Sequence, residues 1–434
     1  MKILHATALG LLSTPLAAQA FADDFNADTS GLYNIAQTAD AAATFAFDYS
    51  ALGIPSAPST TDGSTLGLKL EANLASVAAH AITLHTLVTM TGTYVVKFDA
   101  WINANGPFPG GGAGSTEYLT CGVGGDGSTV NRGGATGVGG WFAADGEGGS
   151  TRDYRGYKNA GEQFAESGQF AAGLSSVSGG AHNNSDPYYA AFGGVDVGAL
   201  PQGSLFAQQN GTTAVGSFGF AWHQIEMRVV ANGGTGGATS VGWYIDGLRV
   251  ATLDAGIGST FSTDGSVTLG YMDIFTSVSD NSALSFGLID NLVIGTLAQA
   301  NAFGAGCAGT AGTPDLTANN SPSLGTTFQM AAANLDASTP IEIMIAGFSD
   351  TNGPLGPLPI DLSAIGFGAG CSLLVGNDVL FPFFGTGGSG TFDLPLPQNA
   401  LFLGYQLYFQ VSSFDSTAAG SLVFSNGLAT VLGL

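Results

Sequence analysis

The residues best suited to chemistry in this sequence are aromatic, basic and acidic side chains that lie between positions 132 and 189. Four of the nine basic residues of the chain, Arg132, Arg152, Arg155 and Lys158, fall within 27 positions there. Aromatic rings can stack on the C–H faces of sugars, and Asp, Asn and Arg side chains can hydrogen-bond sugar hydroxyls. This pattern predicts a glycan-binding face formed by Trp141, Arg152, Asp153, Tyr154, Arg155, Tyr157, Asn183, Tyr188 and Tyr189.

The same residues also have a purely structural interpretation. Tyrosine rings can pack over glycine-rich backbone, and arginines can pair with acids to hold a long insert in place. The aromatic residues of this region lie in polar, loop-like sequence, unlike Phe45, Phe47 and Trp101, which alternate with polar residues as in strands. The sequence alone leaves the binding face and the packed insert as alternatives.

The sequence gives only weak support for a catalytic site. A retaining glycosidase needs two carboxylates about 5 Å apart, and the nearest pair, Asp145 and Glu147, lies in a glycine-rich stretch that indicates a loop. The sequence has no Gly-x-Ser-x-Gly elbow between a strand and a helix. His80 and His85 are five residues apart and lack the helix on which a zinc site would be built. We therefore predict that the protein is not an enzyme, and a degenerate glycoside hydrolase is an alternative.

Calcium is the one cofactor that the acidic residues suggest. Carboxylate and carbonyl oxygens are the ligands of this hard cation. We predict a site that ties the first and last strands of a sandwich through Asp24 and Asp290, with Asp23 and Asn291 as neighbours. The alternative is that these acids hydrogen-bond loop amides.

The elements that must position these residues are strands. Residues 94–101 and 220–229 alternate between apolar and polar side chains, which is the pattern of half-buried strands. The segments 243–245 and 248–250 flank Asp246-Gly247, a pair that favours the two positive φ angles of a type I′ hairpin turn. Helical periodicity is scarce, so the sequence predicts an all-β protein.

Composition sets limits on partners. The 434 residues include 9 Lys and Arg against 32 Asp and Glu, for a formal net charge of −23. Such a surface repels phosphates, which excludes nucleic-acid binding through a basic face and makes an anionic membrane surface an unfavourable partner. With 68 Gly but 45 % apolar residues, the chain is glycine-rich without the composition of a disordered protein.

The N-terminus and the cysteines predict that the protein is secreted to an extracellular location. A basic residue, an apolar run and Ala18-Gln19-Ala20 indicate a signal peptide over residues 1–20, and no later apolar run is long enough to insert in a membrane. Cys307 and Cys371 lie in matching Gly-Ala-Gly-Cys settings, so we predict a disulfide between them, as an oxidising compartment allows. Cys121 lies in an apolar stretch and is expected to be a core residue.

Two segments resemble known families. Residues 222–230 and 243–250 resemble the strand and hairpin of concanavalin A-like lectin and glucanase domains, including laminin-G-like modules. Asp23-Asp24-Phe25 and Ile289-Asp290-Asn291 are similar to the paired first and last strands of such jelly rolls. The interior resembles an uncharacterised branch of secreted bacterial proteins. Residues from 304 onward resemble a C-terminal module found on secreted bacterial proteins, with marks such as Gly306-Cys307 and Ser425-Asn426-Gly427.

The resemblance implies an N-terminal jelly-roll β-sandwich over 21–298 and a smaller C-terminal β-sandwich over 303–434. It implies an accessory role in display or association for the second domain. Together with the residues above, it predicts a secreted, non-catalytic protein that recognises a polysaccharide or cell-surface glycan. The alternative from another class is a structural surface or matrix protein that binds no small ligand.

Overall fold

The computed structural model describes residues 19–75, 78–114, 116–164, 167–173, 180–338, 340–399 and 402–434. The predicted signal peptide, residues 1–20, lies outside the described residues except for Gln19 and Ala20. The chain divides into two compact units, Ala20–Ile294 and Gly295–Leu434. Within the described ranges, no helix has both the length and the apolar character needed to cross a membrane.

The first unit is built from antiparallel strands with short helical turns between them. The strands are β1 (Gln19–Asp23), β2 (Tyr33–Gln37), β3 (Ala41–Asp48), β4 (Leu66–Ala72), β5 (His80–Met90), β6 (Tyr94–Asn103), β7 (Tyr118–Gly125), β8 (Gly140–Asp145), β9 (Tyr154–Lys158), β10 (Gly161–Gln163), β11 (His223–Val230), β12 (Ser240–Ile245), β13 (Leu248–Asp254), β14 (Gly265–Asp273) and β15 (Phe286–Gly295). The helical turns are α1 (Pro201–Leu205) and the 3-10 segments Ser30–Leu32, Tyr49–Leu52, Gly180–His182, Pro187–Tyr189, Val197–Ala199, Thr235–Gly237 and Ser282–Leu284.

These strands form two sheets. The first sheet has the order β13-β12-β11-β6-β15-β4-β3, and the second has the order β10-β9-β8-β7-β14-β5-β2. Strand β1 pairs with β15, so the first and last strands of the unit lie side by side as the resemblance implied. The all-β sandwich predicted from the alternating pattern is therefore confirmed.

The core lies between the two sheets because one face of each alternating strand is apolar. Ile225 and Met227 of β11 pair with Phe98 and Val96 of β6, and all four side chains are buried. Side chains from the second sheet, among them Cys121, complete the same cluster. Cys121 is a buried core residue, as predicted, and burial raises the pKa of its thiol.

The predicted hairpin is also confirmed. Ile245 pairs with Leu248, and Asp246 and Gly247 between them have φ angles of 49° and 79°. Both angles lie in the left-handed region that a type I′ turn requires.

The second unit is an antiparallel β-sandwich that contains the predicted disulfide. One eight-stranded sheet runs β16-β27-β26-β19-β24-β25-β18-β17, and apolar side chains from both of its halves share one core. Cys307 and Cys371 form the disulfide. The strands are β16 (Gln299–Phe303), β17 (Asp315–Ala318), β18 (Thr327–Ala333), β19 (Ile341–Gly347), β20 (Asn352–Gly353), β21 (Gly356–Pro357), β22 (Ile360–Asp361), β23 (Ser372–Leu373), β24 (Val379–Thr386), β25 (Ser389–Pro395), β26 (Gln406–Phe414) and β27 (Leu422–Val431), with 3-10 segments Ser363–Ile365 and Ala419–Ser421.

Candidate functional site

Most residues of the predicted glycan-binding face are buried. Trp141 and Tyr157 lie on the outer face of the second sheet, where β8 and β9 pair them directly. Their rings stack with centroids 3.8 Å apart and planes within 8°, and both side chains are 0 % exposed. We call this aromatic surface, formed by Trp141, Tyr157, Tyr118 and Ala143, the covered face.

The covering element is the glycine-rich loop of residues 126–139. Asn131 anchors it: the Asn131 backbone N–H donates to Thr83, and its side-chain oxygen accepts from the Val138 N–H at 3.0 Å. A Cβ atom placed on Gly133 would lie 2.5 Å from the Tyr157 hydroxyl oxygen, so the loop backbone rests directly on that ring. Glycine permits this close approach, and no ring face remains for a sugar.

The other predicted binding residues also make internal contacts. Tyr154 and Tyr189 belong to the core, with ring centroids 4.4 Å apart. Arg155 is buried, donates to the Tyr118 hydroxyl at 3.0 Å and lies 3.4 Å from Glu162. The partly exposed side chains also have partners, because Arg152 pairs with Glu162 at 3.0 Å and the Tyr188 hydroxyl donates to the Arg249 carbonyl at 2.7 Å.

Asp153 and Asn183 hydrogen-bond backbone groups and do not form part of an open surface. Asp153 accepts from the Asn184 N–H at 2.7 Å, and the Asn183 amide donates to the Ser150 carbonyl at 3.1 Å. For these residues the structure corrects the predicted geometry: the contacts are those of the packed insert. The sequence pattern misled because it identifies residue types, whereas burial is decided by the loops that fold over them.

The acids considered for catalysis are buried as well. Asp145 and Asp153 are 0 % exposed, and Glu147 is 2 % exposed. Asp145 and Asp153 lie close enough for each carboxyl group to affect the ionisation of the other. Burial raises the pKa of both carboxyl groups, that of Asp153 to about 6. A polysaccharide has no access to this pair in the structure.

The predicted calcium ligands Asp24 and Asp290 accept hydrogen bonds from protein groups. Asp24 is exposed, and its side chain accepts from the Asn26 N–H. Asp290 is buried, and it accepts from the Tyr49 hydroxyl at 2.9 Å and from the Asn291 N–H at 2.8 Å. Within the residues that the structure describes, no group of three or more His, Cys, Asp or Glu side chains could hold a metal ion. The contacts of these carboxylates match the alternative in which they hydrogen-bond protein groups, and the calcium site stays a prediction.

Burial dominates the electrostatics of Asp290. It raises the pKa of this carboxyl group to about 7, and the charges of Asp99 and Asp24 act in the same direction. The hydrogen bonds from Tyr49 and Asn291 oppose the shift. Asp99 is also buried, and it accepts from the Ser59 N–H and from the Asn291 amide.

An open cleft lies on the outer side of the first sheet, where the sequence indicated no site. Its volume is about 590 Å³, within the range of small-molecule sites. Three aromatic rings, several aliphatic side chains and one amide line it, and we call it the open cleft. Its lining residues are Ser50, Gly53, Ile54, Pro55, Trp101, Leu200, Pro201, Gln202, Phe220, Ala221 and Trp222.

Two neighbouring strands position the aromatic floor of the cleft. Trp101 belongs to β6, and Trp222 comes directly before β11, whose first residue His223 pairs with Ala100. The Trp101 and Trp222 ring centroids are consequently 5.9 Å apart. Trp222 is partly exposed, whereas the other three tryptophans of the chain are buried.

Two loop segments form the walls. The turn Tyr49–Leu52 ends at Gly53, whose φ of 75° is left-handed and whose added Cβ would lie 2.8 Å from the Pro201 Cβ. This close approach explains why a glycine stands at the junction of the two walls. The Trp222 indole N–H donates to the Pro55 carbonyl at 2.8 Å and fixes that wall to the aromatic floor.

The polar groups of the cleft are few, and three of their atoms have no hydrogen-bond partner among the described residues. Gln202 is 1 % exposed, and neither its amide nitrogen nor its amide oxygen has a hydrogen-bond partner among the described residues. The Trp101 indole N–H is likewise buried without a described partner. Buried polar groups in proteins are almost always hydrogen-bonded, so these three atoms call for an explanation.

Comparison with known proteins adds no assignment. The sequence matches no protein-family model and no curated protein. Similar solved structures include the VIP36 exoplasmic/lumenal domain in a Ca²⁺/Man2-bound form (9 % identity, TM-score 0.31, 63 % of this chain and 86 % of that one). They also include a Bacillus licheniformis β-glucanase (12 %, 0.30, 65 % and 100 %) and an endo-β-1,4-glucuronan lyase from Trichoderma reesei (9 %, 0.32, 64 % and 96 %). Likeness at this level assigns neither a ligand nor an activity to this chain.

Proposed function

We propose that the first unit is a non-catalytic saccharide-binding module and that the open cleft is its binding site. The observation that supports this proposal most is the combination of a partly exposed Trp222 with three unpartnered polar atoms on Trp101 and Gln202. An apolar, aromatic cleft with a few convergent polar groups has the composition of a ligand site. A sugar would place C–H groups on the rings and hydroxyls on the amide and the indole N–H.

Binding without catalysis fits the placement of the acids. The cleft has no charged side chain among its eleven lining residues, so it offers neither a general acid nor a nucleophile. Two buried carboxylates of the same sheet, Asp99 and Asp290, are held by Ser59, Tyr49 and Asn291. We propose that binding is independent of calcium, so a chelator should leave the affinity unchanged.

We further propose that the protein is secreted and acts outside the cell. The Cys307–Cys371 disulfide is suited to an oxidising compartment. The second unit would then serve in display or association of the sugar-binding unit. A structural surface protein with no ligand is the alternative that the following experiment decides.

The test is a glycan array probed with the full chain, followed by calorimetric titration of the best glycan with and without a chelator. Trp222→Ala removes the partly exposed ring and should weaken binding about tenfold or more. The matched control is Phe275→Ala, because Phe275 is an exposed ring (43 %) that does not line the cleft. Equal affinity in both variants, or no bound glycan, would overturn the proposal.

A further inference from the structure

The lining of the open cleft restricts the class of sugar that it could hold. The eleven lining residues include no Asp, Glu, Lys, Arg or His. An anionic sugar would lose hydration in this cleft without gaining a counter-charge, which is unfavourable. The chain as a whole, at −23, would also repel it. Uronic acids and sulfated sugars are therefore poor ligands for this site.

The number of available hydrogen-bonding side chains is small. Gln202 offers an amide that can donate twice and accept, and Trp101 offers one donor. Ser50, the other polar side chain of the lining, already donates its hydroxyl to Asp48 at 2.6 Å. A sugar with a hydroxyl at every carbon would leave several of them unpaired in the cleft, and each unpaired buried hydroxyl opposes binding.

The remaining walls are aliphatic. Ile54, Pro55, Leu200 and Ala221 line the cleft beside the rings. Such walls favour a methyl group over a hydroxymethyl group, because the methyl group gains from burial and has no hydrogen bond to lose.

On the basis of the proposed function, we infer that the open cleft binds a neutral sugar that bears a methyl group, such as a 6-deoxyhexose or an O-methylated hexose. The partly exposed ring of Trp222 contacts its C–H face, Gln202 pairs with its ring hydroxyls, and Leu200 and Ile54 contact the methyl group.

Matched sugars test this inference on the full chain. Each set contains the 6-deoxyhexose, its parent hexose and its uronic acid as free sugars without any O-methyl group: 6-deoxyglucose, glucose and glucuronate; 6-deoxygalactose, galactose and galacturonate; 6-deoxymannose, mannose and mannuronate, in both D and L series. Ligand-observed NMR titration gives the relative affinities. In at least one set the deoxy sugar should bind about fourfold tighter than the parent or better, and the uronate should bind most weakly.

Two variants test whether the preference for the deoxy sugar arises in the open cleft. Leu200→Ser should reduce the preference for the deoxy sugar to near unity, whereas Leu205→Ser, at a position that is 54 % exposed and outside the lining, should leave it unchanged. Equal or tighter binding of the parent hexose or the uronate would overturn the inference while leaving the proposed function in place. No binding by any member of the panel, together with an empty glycan array, would overturn both.

Discussion

The two outer faces of the first unit contain similar aromatic residues and differ in what lies over them. On the second sheet, Trp141 and Tyr157 stack at 3.8 Å and are sealed by residues 126–139. On the first sheet, Trp101 and Trp222 lie 5.9 Å apart, and the segments beside them leave a cleft of about 590 Å³. Aromatic rings on the outside of a sheet are therefore buried or left open to solvent according to the loops that cross them.

The indole N–H groups of the two faces also differ in whether they have a hydrogen-bond partner. The Trp141 indole N–H donates to the Asn159 carbonyl at 2.8 Å, whereas the Trp101 indole N–H has no partner in the described part of the chain. A paired polar group indicates a finished internal contact, and an unpaired one indicates that a partner is missing. The Tyr157 hydroxyl of the covered face is also buried without a described partner, so the contrast holds for the two indoles and not for every polar group.

Trp141→Ala should give the largest effect on stability. Removing a fully buried indole leaves a cavity under the loop, so we expect the free energy of unfolding to fall by about 3–5 kcal/mol. Sugar affinity of the folded protein should stay unchanged, because the ring is remote from the cleft. Denaturant unfolding and calorimetric titration measure the two quantities. Loss of affinity with full stability would place the site on the covered face instead.

The buried acids predict a second effect, on pH dependence. Burial raises the folded-state pKa of Asp153 to about 6 and that of Asp145 well above its usual range, so the folded protein holds protons that the unfolded chain releases near pH 4. Stability should therefore fall as pH rises from about 4 through about 6, by on the order of 2 kcal/mol. Asp145→Asn supplies an amide donor in place of the proton and should flatten this decline.

The matched control for this pH prediction is Asp28→Asn. Asp28 is exposed, and hydrogen bonds from Ser30 lower its pKa, so it stays ionised throughout this pH range. Urea unfolding measured from pH 4 to pH 8 tests both variants. A decline in Asp145→Asn as steep as in the parent protein would show that protonation of Asp145 does not contribute.

Asn131→Ala loosens the loop over the covered face. The variant loses the hydrogen bond from the Val138 N–H, so we expect a loss of about 1–2 kcal/mol and faster amide exchange across residues 127–138. Gln224→Ala, at an exposed position of β11 on the first sheet, should change neither quantity. Unchanged exchange in the Asn131 variant would mean that other contacts hold the loop.

Gln202→Leu should change stability and affinity in opposite directions. The substitution removes a buried amide without described partners, so the free energy of unfolding should rise by up to about 1 kcal/mol. It also removes the proposed sugar contact, so affinity should fall. A variant that loses both stability and affinity would indicate that Gln202 has a structural role.

Much of the fold could be predicted because it depends on local patterns. Alternating apolar residues identify β6 and β11, and Asp246-Gly247 specifies the hairpin turn. The resemblance implied the pairing of β1 with β15, and the matched settings of Cys307 and Cys371 suggested their disulfide.

The site could not be predicted in the same way. It depends on which segments, distant in sequence, lie over each sheet. Alternation places Trp101 in a strand but does not show that solvent reaches the neighbouring Trp222. The glycine-rich residues 126–139 have no periodic pattern that would reveal them as a cover over Trp141. Gln202 lies 101 residues from Trp101, and only the tertiary fold brings its unpaired amide into the cleft.

The most direct test of the central claim compares the chemical reactivity of the four tryptophans. N-bromosuccinimide oxidises accessible indoles, and mass spectrometry of peptides locates the modified residue. With the best glycan bound, we expect Trp222 to be protected from the oxidation that it undergoes in the free protein, while Trp141 stays unmodified in both states. Oxidation of Trp141 that the glycan prevents, with Trp222 unaffected by the glycan, would contradict the account and assign binding to the covered face.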